Sequence, residues 1–219
     1  MIPYLNQIVT GDARELAKAI PDESVDLIFT DPPYPDEFMW CWEWLSTVGQ
    51  RVLKPGGLLM TYTGKHNFPT VISHLRKKLE WFWLFSAIML NSDTRHHSRK
   101  VFSNHRPIPA FYKPNGSEPA CLEWVGDGKK SIRDKRFHEW GQGANVFAWY
   151  ISKLTTMDAV ILDPFTGGGT VPAVCKMLGR NYIAFEIEPA TAEAARERVL
   201  NTQPPLFVLE PEQVEMQLA

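Results

Sequence analysis

The chain has 219 residues and a formal net charge of −2, with 44% hydrophobic and 22% charged residues. This length fits one medium-sized domain, and the slightly acidic balance excludes a uniformly basic nucleic-acid-binding protein. The N-terminus lacks a basic segment followed by an apolar run, and no stretch of about 18 consecutive apolar residues occurs. We therefore predict a single cytoplasmic domain over residues 1–219 that is not inserted in a membrane.

Apolar runs and helical patterns alternate along the chain, which predicts an α/β fold. In the first half we expect strands at 25–30, 58–62 and 81–90, a further strand starting at 109–113, and helices at 45–53 and 71–79, with a helix end and turn at 51–57. In the second half we expect helices at 144–154, 171–178 and 189–200 and strands at 159–163 and 182–186. This order predicts a mostly parallel central sheet with helices on both faces and a ligand crevice at the carboxyl ends of the strands.

Residues 114–143 interrupt this rhythm with scattered glycines and a basic run, so we interpret them as an inserted loop or small subdomain. Basic residues are concentrated in and just before this region. Because phosphate contacts in an acidic chain must come from a local patch, we predict that these residues bind a nucleic-acid backbone. The predicted DNA-binding residues are Arg95, Arg99, Lys100, Arg106, Lys129, Lys130, Arg133 and Arg136.

A glycine-rich loop, Asp163-Pro-Phe-Thr-Gly-Gly-Gly-Thr170, lies between a predicted strand and a predicted helix, and Glu186 ends the next strand. Gly167 and Gly169 permit a tight turn and close approach to a ligand, while a carboxylate at the end of the second strand can accept hydrogen bonds from ribose hydroxyls. The pattern predicts a nucleoside cofactor. A dinucleotide is the alternative, although the glycine spacing differs from the G-x-G-x-x-G loop that binds a pyrophosphate.

A second motif, Asp31-Pro-Pro-Tyr34, follows the predicted strand at 25–30. The Asp31 carboxylate can accept a hydrogen bond from an aromatic amine, the Pro32 carbonyl can accept another, and the Tyr34 ring can stack on a base. Together these groups favour binding of a planar heterocycle that carries an amino group.

The two motifs, in this order, resemble those of the beta-class DNA amino-methyltransferases, and the resemblance extends to residues 6–12, 21–34 and 53–57. It implies a Rossmann-like fold and S-adenosylmethionine as the cofactor. It also implies that Asp31, Pro32, Pro33 and Tyr34 are catalytic and that the insertion at 114–143 is a small target-recognition region. The implied cofactor-binding residues are Asp12, Asp163, Pro164, Phe165, Gly167, Gly169, Thr170 and Glu186.

In this family, Asp at the position of Asp31 accompanies adenine and Ser accompanies cytosine. We therefore expect N6 methylation of adenine in DNA, and the alternatives are cytosine N4 methylation, an RNA substrate, or a catalytically silent nucleic-acid-binding module. The expected partners are DNA, a second copy of the chain and a cognate restriction endonuclease. His96, His97 and His105 lack a carboxylate or cysteine at ligand spacing, so we predict no metal site.

Overall fold

The structure is a computed structural model that describes residues 2–89, 94–96, 99–114, 119–131 and 143–203. Its strands are β1 (Gln7–Thr10), β2 (Val25–Thr30), β3 (Leu53–Thr61), β4 (Glu80–Ile88), β5 (Thr94–His96), β6 (Val101–Ser103), β7 (His105–Tyr112), β8 (Gly128–Lys130), β9 (Val160–Asp163) and β10 (Asn181–Glu186). Its α-helices are α1 (Ala13–Leu16), α2 (Trp40–Val52), α3 (Phe68–Leu75), α4 (Ala144–Leu154), α5 (Thr170–Leu178) and α6 (Pro189–Asn201).

Eight of these strands form one sheet in the order β1-β10-β9-β2-β3-β7-β4-β8, and β5 pairs with β6 separately. The pairs from β1 to β3 are all parallel, whereas β7 runs antiparallel to β3 and β4. The predicted mostly parallel sheet is therefore confirmed. Since the carboxyl ends of parallel strands meet at one edge, the residues that follow β1, β2, β9 and β10 are brought together there.

Both faces of the sheet are buried. Leu27 and Phe29 of β2 pack in a core with α4, α5 and α6, while Ile28 between them packs in a second core with α2 and α3. Alternate residues of a strand point to opposite faces, so this division shows helices on both sides of the sheet. The same arrangement explains why β2 is an apolar run without alternating polarity.

The region around the predicted turn at 51–57 differs from expectation, because β3 already begins at Leu53. Its register against β2 shifts between Val25 and Leu27. Gly57 makes this irregularity possible, since a Cβ at that position would lie 2.9 Å from the carbonyl oxygen of Lys54 and 3.1 Å from that of Asp26. The predicted helix end is confirmed, because α2 ends at Val52. Residues 54–57 lie between the residues of β3 that pair with β2, and Gly56 among them has a φ of +77°, so the difference from expectation is that the strand begins at Leu53 and not at Leu58.

Part of the predicted insertion also joins the sheet. Within the described part of residues 114–143, β8 runs parallel to β4 and pairs Gly128 with Ser86. Lys129 and Lys130 therefore lie on a sheet strand, where we had predicted a loop or subdomain. Residues 132–142, which include Arg133 and Arg136, lie outside the described residues. A target-recognition role for this region therefore remains a prediction.

Candidate active site

A cavity of about 830 Å³ opens at the carboxyl edge of the parallel strands. This position is where open α/β sheets bind ligands, and the volume is within the range of small-molecule sites. All the predicted catalytic and cofactor-binding residues except Gly169 line it. They are Asp12, Asp31, Pro32, Pro33, Tyr34, Asp163, Pro164, Phe165, Gly167, Thr170 and Glu186.

The Asp31-Pro-Pro-Tyr34 motif closes on itself through its two polar side chains. The hydroxyl of Tyr34 donates a hydrogen bond of 2.5 Å to Oδ1 of Asp31. Burial raises the pKa of Tyr34 well above its ordinary value, and the nearby Asp31 carboxylate raises it further, so the hydroxyl keeps its proton. Gly64 packs against the Tyr34 ring, with its hypothetical Cβ 3.7 Å from the ring carbons. Tyr34 therefore both orients Asp31 and presents a fixed aromatic ring to the cavity.

Asp163, at the end of β9, is almost fully buried. The Thr30 hydroxyl donates a hydrogen bond of 2.7 Å to its Oδ1, and the Phe165 N–H lies 3.4 Å from the same atom. Burial raises the pKa of Asp163 to about 7, partly offset by these hydrogen bonds. Only 3% of Asp163 is exposed, so its contacts hold the glycine loop against β2, and it offers the cavity little surface.

Glu186, at the end of β10, is held on the cavity wall by two backbone groups. Its Oε2 accepts a hydrogen bond of 2.9 Å from the Gly167 N–H, and its Oε1 accepts one of 2.9 Å from the Glu188 N–H. An ionised carboxylate offers about four acceptor positions, so further donors can bind the same group. This arrangement places a charged acceptor beside the glycine loop, as the sequence predicted for ribose hydroxyls.

Four backbone N–H groups of the glycine loop donate hydrogen bonds to acceptors within the protein. The donors and their acceptor atoms are Phe165 to Asp163 Oδ1, Thr166 to the Phe185 carbonyl, Gly167 to Glu186 Oε2 and Gly169 to the Thr166 carbonyl. A pyrophosphate-binding loop instead directs such groups at the ligand. The cationic residues of the cavity are Arg14 and Arg106, and Arg14 is paired with Asp12. These features favour a nucleoside over a dinucleotide.

The two glycines singled out from sequence have different surroundings. Both have positive φ, +49° at Gly167 and +72° at Gly169. A Cβ at Gly167 would meet no heavy atom within 4 Å, whereas one at Gly169 would lie 2.9 Å from the Ala195 Cβ on α6. Gly167 thus faces open space on the cavity wall, and Gly169 permits close packing between the start of α5 and α6.

Asp12 caps the amino end of α1, where its Oδ1 accepts a hydrogen bond of 2.8 Å from the Arg14 N–H. The Arg14 guanidinium bonds the same carboxylate at 2.6 Å and lies 4.5 Å from the centroid of the Trp40 ring. The Arg14 hydrogen bonds hold the pKa of Asp12 below its ordinary value. Trp40 in turn meets Phe165 edge-on, with ring centroids 6.5 Å apart. This part of the wall therefore combines aromatic rings with an Arg14–Asp12 ion pair.

The sequence analysis missed several residues of the cavity. Those with side chains suited to ligand contact are Arg14, Phe38, Trp40, Phe147, Phe185 and Ile187. Most belong to no motif, although the positions of Phe185 and Ile187 on either side of Glu186 could have indicated that they line the cavity. Arg106 was assigned to the phosphate patch, yet it lies on the cavity wall.

The remaining basic residues have varied surroundings. Arg95, Arg99, Lys100 and Lys130 are exposed. The ammonium group of Lys129 lies 3.8 Å from the centroid of the Trp149 ring, a cation–π contact that competes with phosphate binding. Arg133 and Arg136 lie outside the described residues, so their role in DNA binding stays a prediction.

Among the described residues, no group of three or more His, Cys, Asp or Glu side chains could hold a metal ion. In the same part of the chain, none of the helices combines the length and apolarity needed to span a bilayer.

The mostly parallel sheet, the helices on both of its faces and the cavity at its carboxyl edge form the Rossmann-like fold of the S-adenosylmethionine-dependent methyltransferases. Two solved structures share this fold. The complex of M1.HpyAVI with SAM gives a TM-score of 0.75 at 22% identity and covers 89% of this chain and 98% of its own. PvuII DNA methyltransferase, described as cytosine-N4-specific, gives a TM-score of 0.77 at 18% identity and covers 97% of this chain and 90% of its own.

Sequence comparisons agree with the resemblance to DNA amino-methyltransferases. The N6/N4 methyltransferase family profile, described as DNA methylase, matches residues 133–197. The type II methyltransferase M.HinfI of Haemophilus influenzae is 26% identical over 92% of this chain and 70% of its own length. These matches support a beta-class DNA amino-methyltransferase that uses S-adenosylmethionine as its cofactor.

Proposed function

We propose that this chain transfers a methyl group from S-adenosylmethionine to the N6 amino group of adenine in DNA. The observation that carries the proposal is the placement of Asp31 and Tyr34 on the same cavity as the glycine loop and Glu186. One cavity can thus hold an amino-bearing base and a nucleoside cofactor side by side, as group transfer between them requires.

Glu186 and the glycine loop are the residues that we propose to hold the cofactor. The Glu186 carboxylate accepts hydroxyl donors, and the open space at Gly167 leaves room for a ligand against the backbone. Trp40 and Phe165 supply aromatic surface for an adenine ring. When bound there, S-adenosylmethionine supplies an electrophilic methyl group on a sulfonium centre.

Asp31 and Pro32 are the residues that we propose to hold the target amine. The nitrogen lone pair of an aromatic amine is delocalised into its ring, which makes the amine a poor nucleophile. If the Asp31 carboxylate and the Pro32 carbonyl accept both amine hydrogens, they favour a pyramidal nitrogen and stabilise the positive charge that develops on it. The nitrogen would form its bond to the methyl carbon as the carbon–sulfur bond of the sulfonium breaks to leave a neutral thioether, and the methylated nitrogen would then release a proton to water.

Tyr34 has two roles in this proposal. Its hydroxyl occupies one acceptor position of Asp31 and fixes the orientation of the carboxylate. Its ring, supported from behind by Gly64, replaces the stacking that a base loses when it leaves the duplex.

The preference for adenine over cytosine rests on Asp31, because Asp at this position accompanies adenine in the family that the chain resembles. Cytosine N4 is the second candidate, since PvuII DNA methyltransferase, which has the same fold, is described as cytosine-N4-specific. A carboxylate accepts hydrogen bonds from either amine, so hydrogen-bonding capacity alone does not separate the two bases.

The product identifies the substrate. DNA is methylated by the purified protein with cofactor labelled in its methyl group, digested to nucleosides and separated by chromatography. We expect the label in N6-methyladenine. Label in N4-methylcytosine would establish the second candidate, and label in RNA but not in DNA would contradict both.

A further inference from the structure

A β-hairpin projects from the edge of the sheet that carries the active site. β4 ends at Ile88 opposite the start of β7 at His105, and the ladder continues with a hydrogen bond of 2.6 Å from the Met89 N–H to the Asn104 carbonyl. β5 and β6 lie between these points and pair Arg95 with Phe102. The pair of strands β5 and β6 thus lies, in the chain, between the end of β4 and the start of β7.

The hairpin exposes apolar side chains among cations. Phe102 is 65% exposed and its neighbour Val101 is 53% exposed. The Arg95 guanidinium lies 5.4 Å from the centroid of the Phe102 ring, and the side chains of Arg99 and Lys100 are exposed beside them. An aromatic ring surrounded by cations is suited to nucleic acid, because the cations meet phosphates while the ring stacks against bases.

The hairpin lies close to the cavity. Phe102 precedes Arg106, which lines the cavity, by four residues of mostly extended chain. At about 3.3 Å per residue, the two backbones are at most roughly 13 Å apart. A base that leaves a duplex for the cavity therefore vacates a position near the hairpin.

We propose that Phe102 is a wedge that enters the DNA stack at the position of the departing base, while Arg95, Arg99 and Lys100 hold the adjoining phosphates. Apolar wedges of this kind unstack base steps in other DNA-binding proteins. Filling the vacated space offsets part of the cost of extruding a base. This inference rests on the proposed function, since it requires a base that leaves the duplex.

The test uses a DNA duplex with the recognition sequence found by modified-base sequencing of DNA from cells that express the protein. One duplex has the target base paired, and a second has it opposite an abasic site, where little remains to be unpaired. We expect Phe102→Ala to lose about tenfold in single-turnover methylation of the paired duplex and to recover most of that loss on the abasic duplex. Phe102→Leu, which keeps an apolar wedge, should stay close to the wild type on both.

Trp83→Ala is the matched control, because Trp83 is an exposed aromatic residue that lies outside the hairpin and does not line the cavity, and we expect no loss on either duplex. A second readout places 2-aminopurine at the target position: saturating wild-type protein should raise its fluorescence, and Phe102→Ala should raise it less. Equal losses by Phe102→Ala on both duplexes, or no loss on either, would overturn the wedge. Failure of the wild type to methylate the paired duplex would contradict the proposed function instead.

Discussion

The Thr30 hydroxyl donates a hydrogen bond of 2.7 Å to Asp163, and this contact joins the two motifs of the active site across 133 positions of sequence. Thr30 is the last residue of β2, directly before Asp31, and Asp163 is the last residue of β9, directly before the glycine loop. The strands that lead into the proposed base-binding and cofactor-binding motifs are therefore joined by a hydrogen bond at the cavity.

Loss of this contact should destabilise the protein. Thr30→Val keeps the shape of the side chain but leaves the buried Asp163 carboxyl without its strongest partner, so we expect the free energy of unfolding to fall by about 1–3 kcal/mol. Chemical denaturation measures the change. Thr61→Val is the control, because Thr61 pairs with Thr30 on β3 and is equally buried, but bonds the Tyr62 carbonyl. Equal losses of unfolding free energy in the two variants would show that the Thr30–Asp163 hydrogen bond stabilises the fold no more than the Thr61 hydrogen bond does.

Asp163 should make stability depend on pH. Burial raises its pKa from 3.8 to about 7, so the folded chain holds the proton more tightly than the unfolded chain does. Its favourable contribution is present below about pH 4 and is lost as the pH rises to about 7. Asp163→Asn stays neutral and can still accept from Thr30. Its free energy of unfolding, relative to wild type, should therefore rise across this interval and level off above it.

Urea denaturation of both proteins at a series of pH values tests this prediction. A stability difference between wild type and Asp163→Asn that stays constant from acid to neutral pH would show that Asp163 keeps an ordinary pKa.

The two loop glycines should respond differently to alanine. Gly169→Ala combines a positive φ with a Cβ 2.9 Å from Ala195, and we expect a loss of about 2 kcal/mol or more in unfolding free energy. Gly167→Ala meets no atom, so it should cost about 1 kcal/mol but weaken cofactor binding by intruding on the cavity. Denaturation and cofactor titration of both variants measure the two effects. A larger stability loss in Gly167→Ala, with weakened cofactor binding only in Gly169→Ala, would contradict both assignments.

Glu186 should contribute to cofactor affinity. Glu186→Ala removes a charged acceptor from the cavity, and we expect S-adenosylmethionine binding to weaken by about 1–3 kcal/mol in calorimetric titration. Glu188→Ala is the control, because its side chain is exposed and its backbone N–H still bonds Glu186. An unchanged Kd in Glu186→Ala would refute the assignment.

Residues of the candidate site could be predicted from the sequence where their type restricts the local backbone. Pro32 and Pro33 end a buried strand unambiguously, and the glycine loop between β9 and α5 needs residues that tolerate positive φ. β1 was missed because it is a four-residue edge strand with one buried side chain, Ile8, too short for a period to emerge.

Other parts of the site depend on contacts between distant segments. Arg106 belongs to a basic run in sequence, and only the pairing of β7 with β3 and β4 directs it to the cavity wall. Gly167 and Gly169 cannot be distinguished from the motif alone. Their roles differ because α6 packs against Gly169 and not against Gly167. Trp40 starts a helix with no motif of its own, and its contacts with Arg14 and Phe165 arise only in the fold.

Methylation of DNA by Asp31→Ala, with S-adenosylmethionine affinity measured on the same preparation, tests the proposed role of Asp31. Because we propose that Asp31 binds the amine and not the cofactor, we expect a loss of about 100-fold or more in single-turnover methyl transfer with unchanged cofactor Kd. Tyr34→Phe, which removes the hydrogen bond to Asp31 but keeps the ring, should give a smaller loss. Full activity in Asp31→Ala, or an equal loss of cofactor binding and methyl transfer, would contradict the assignment.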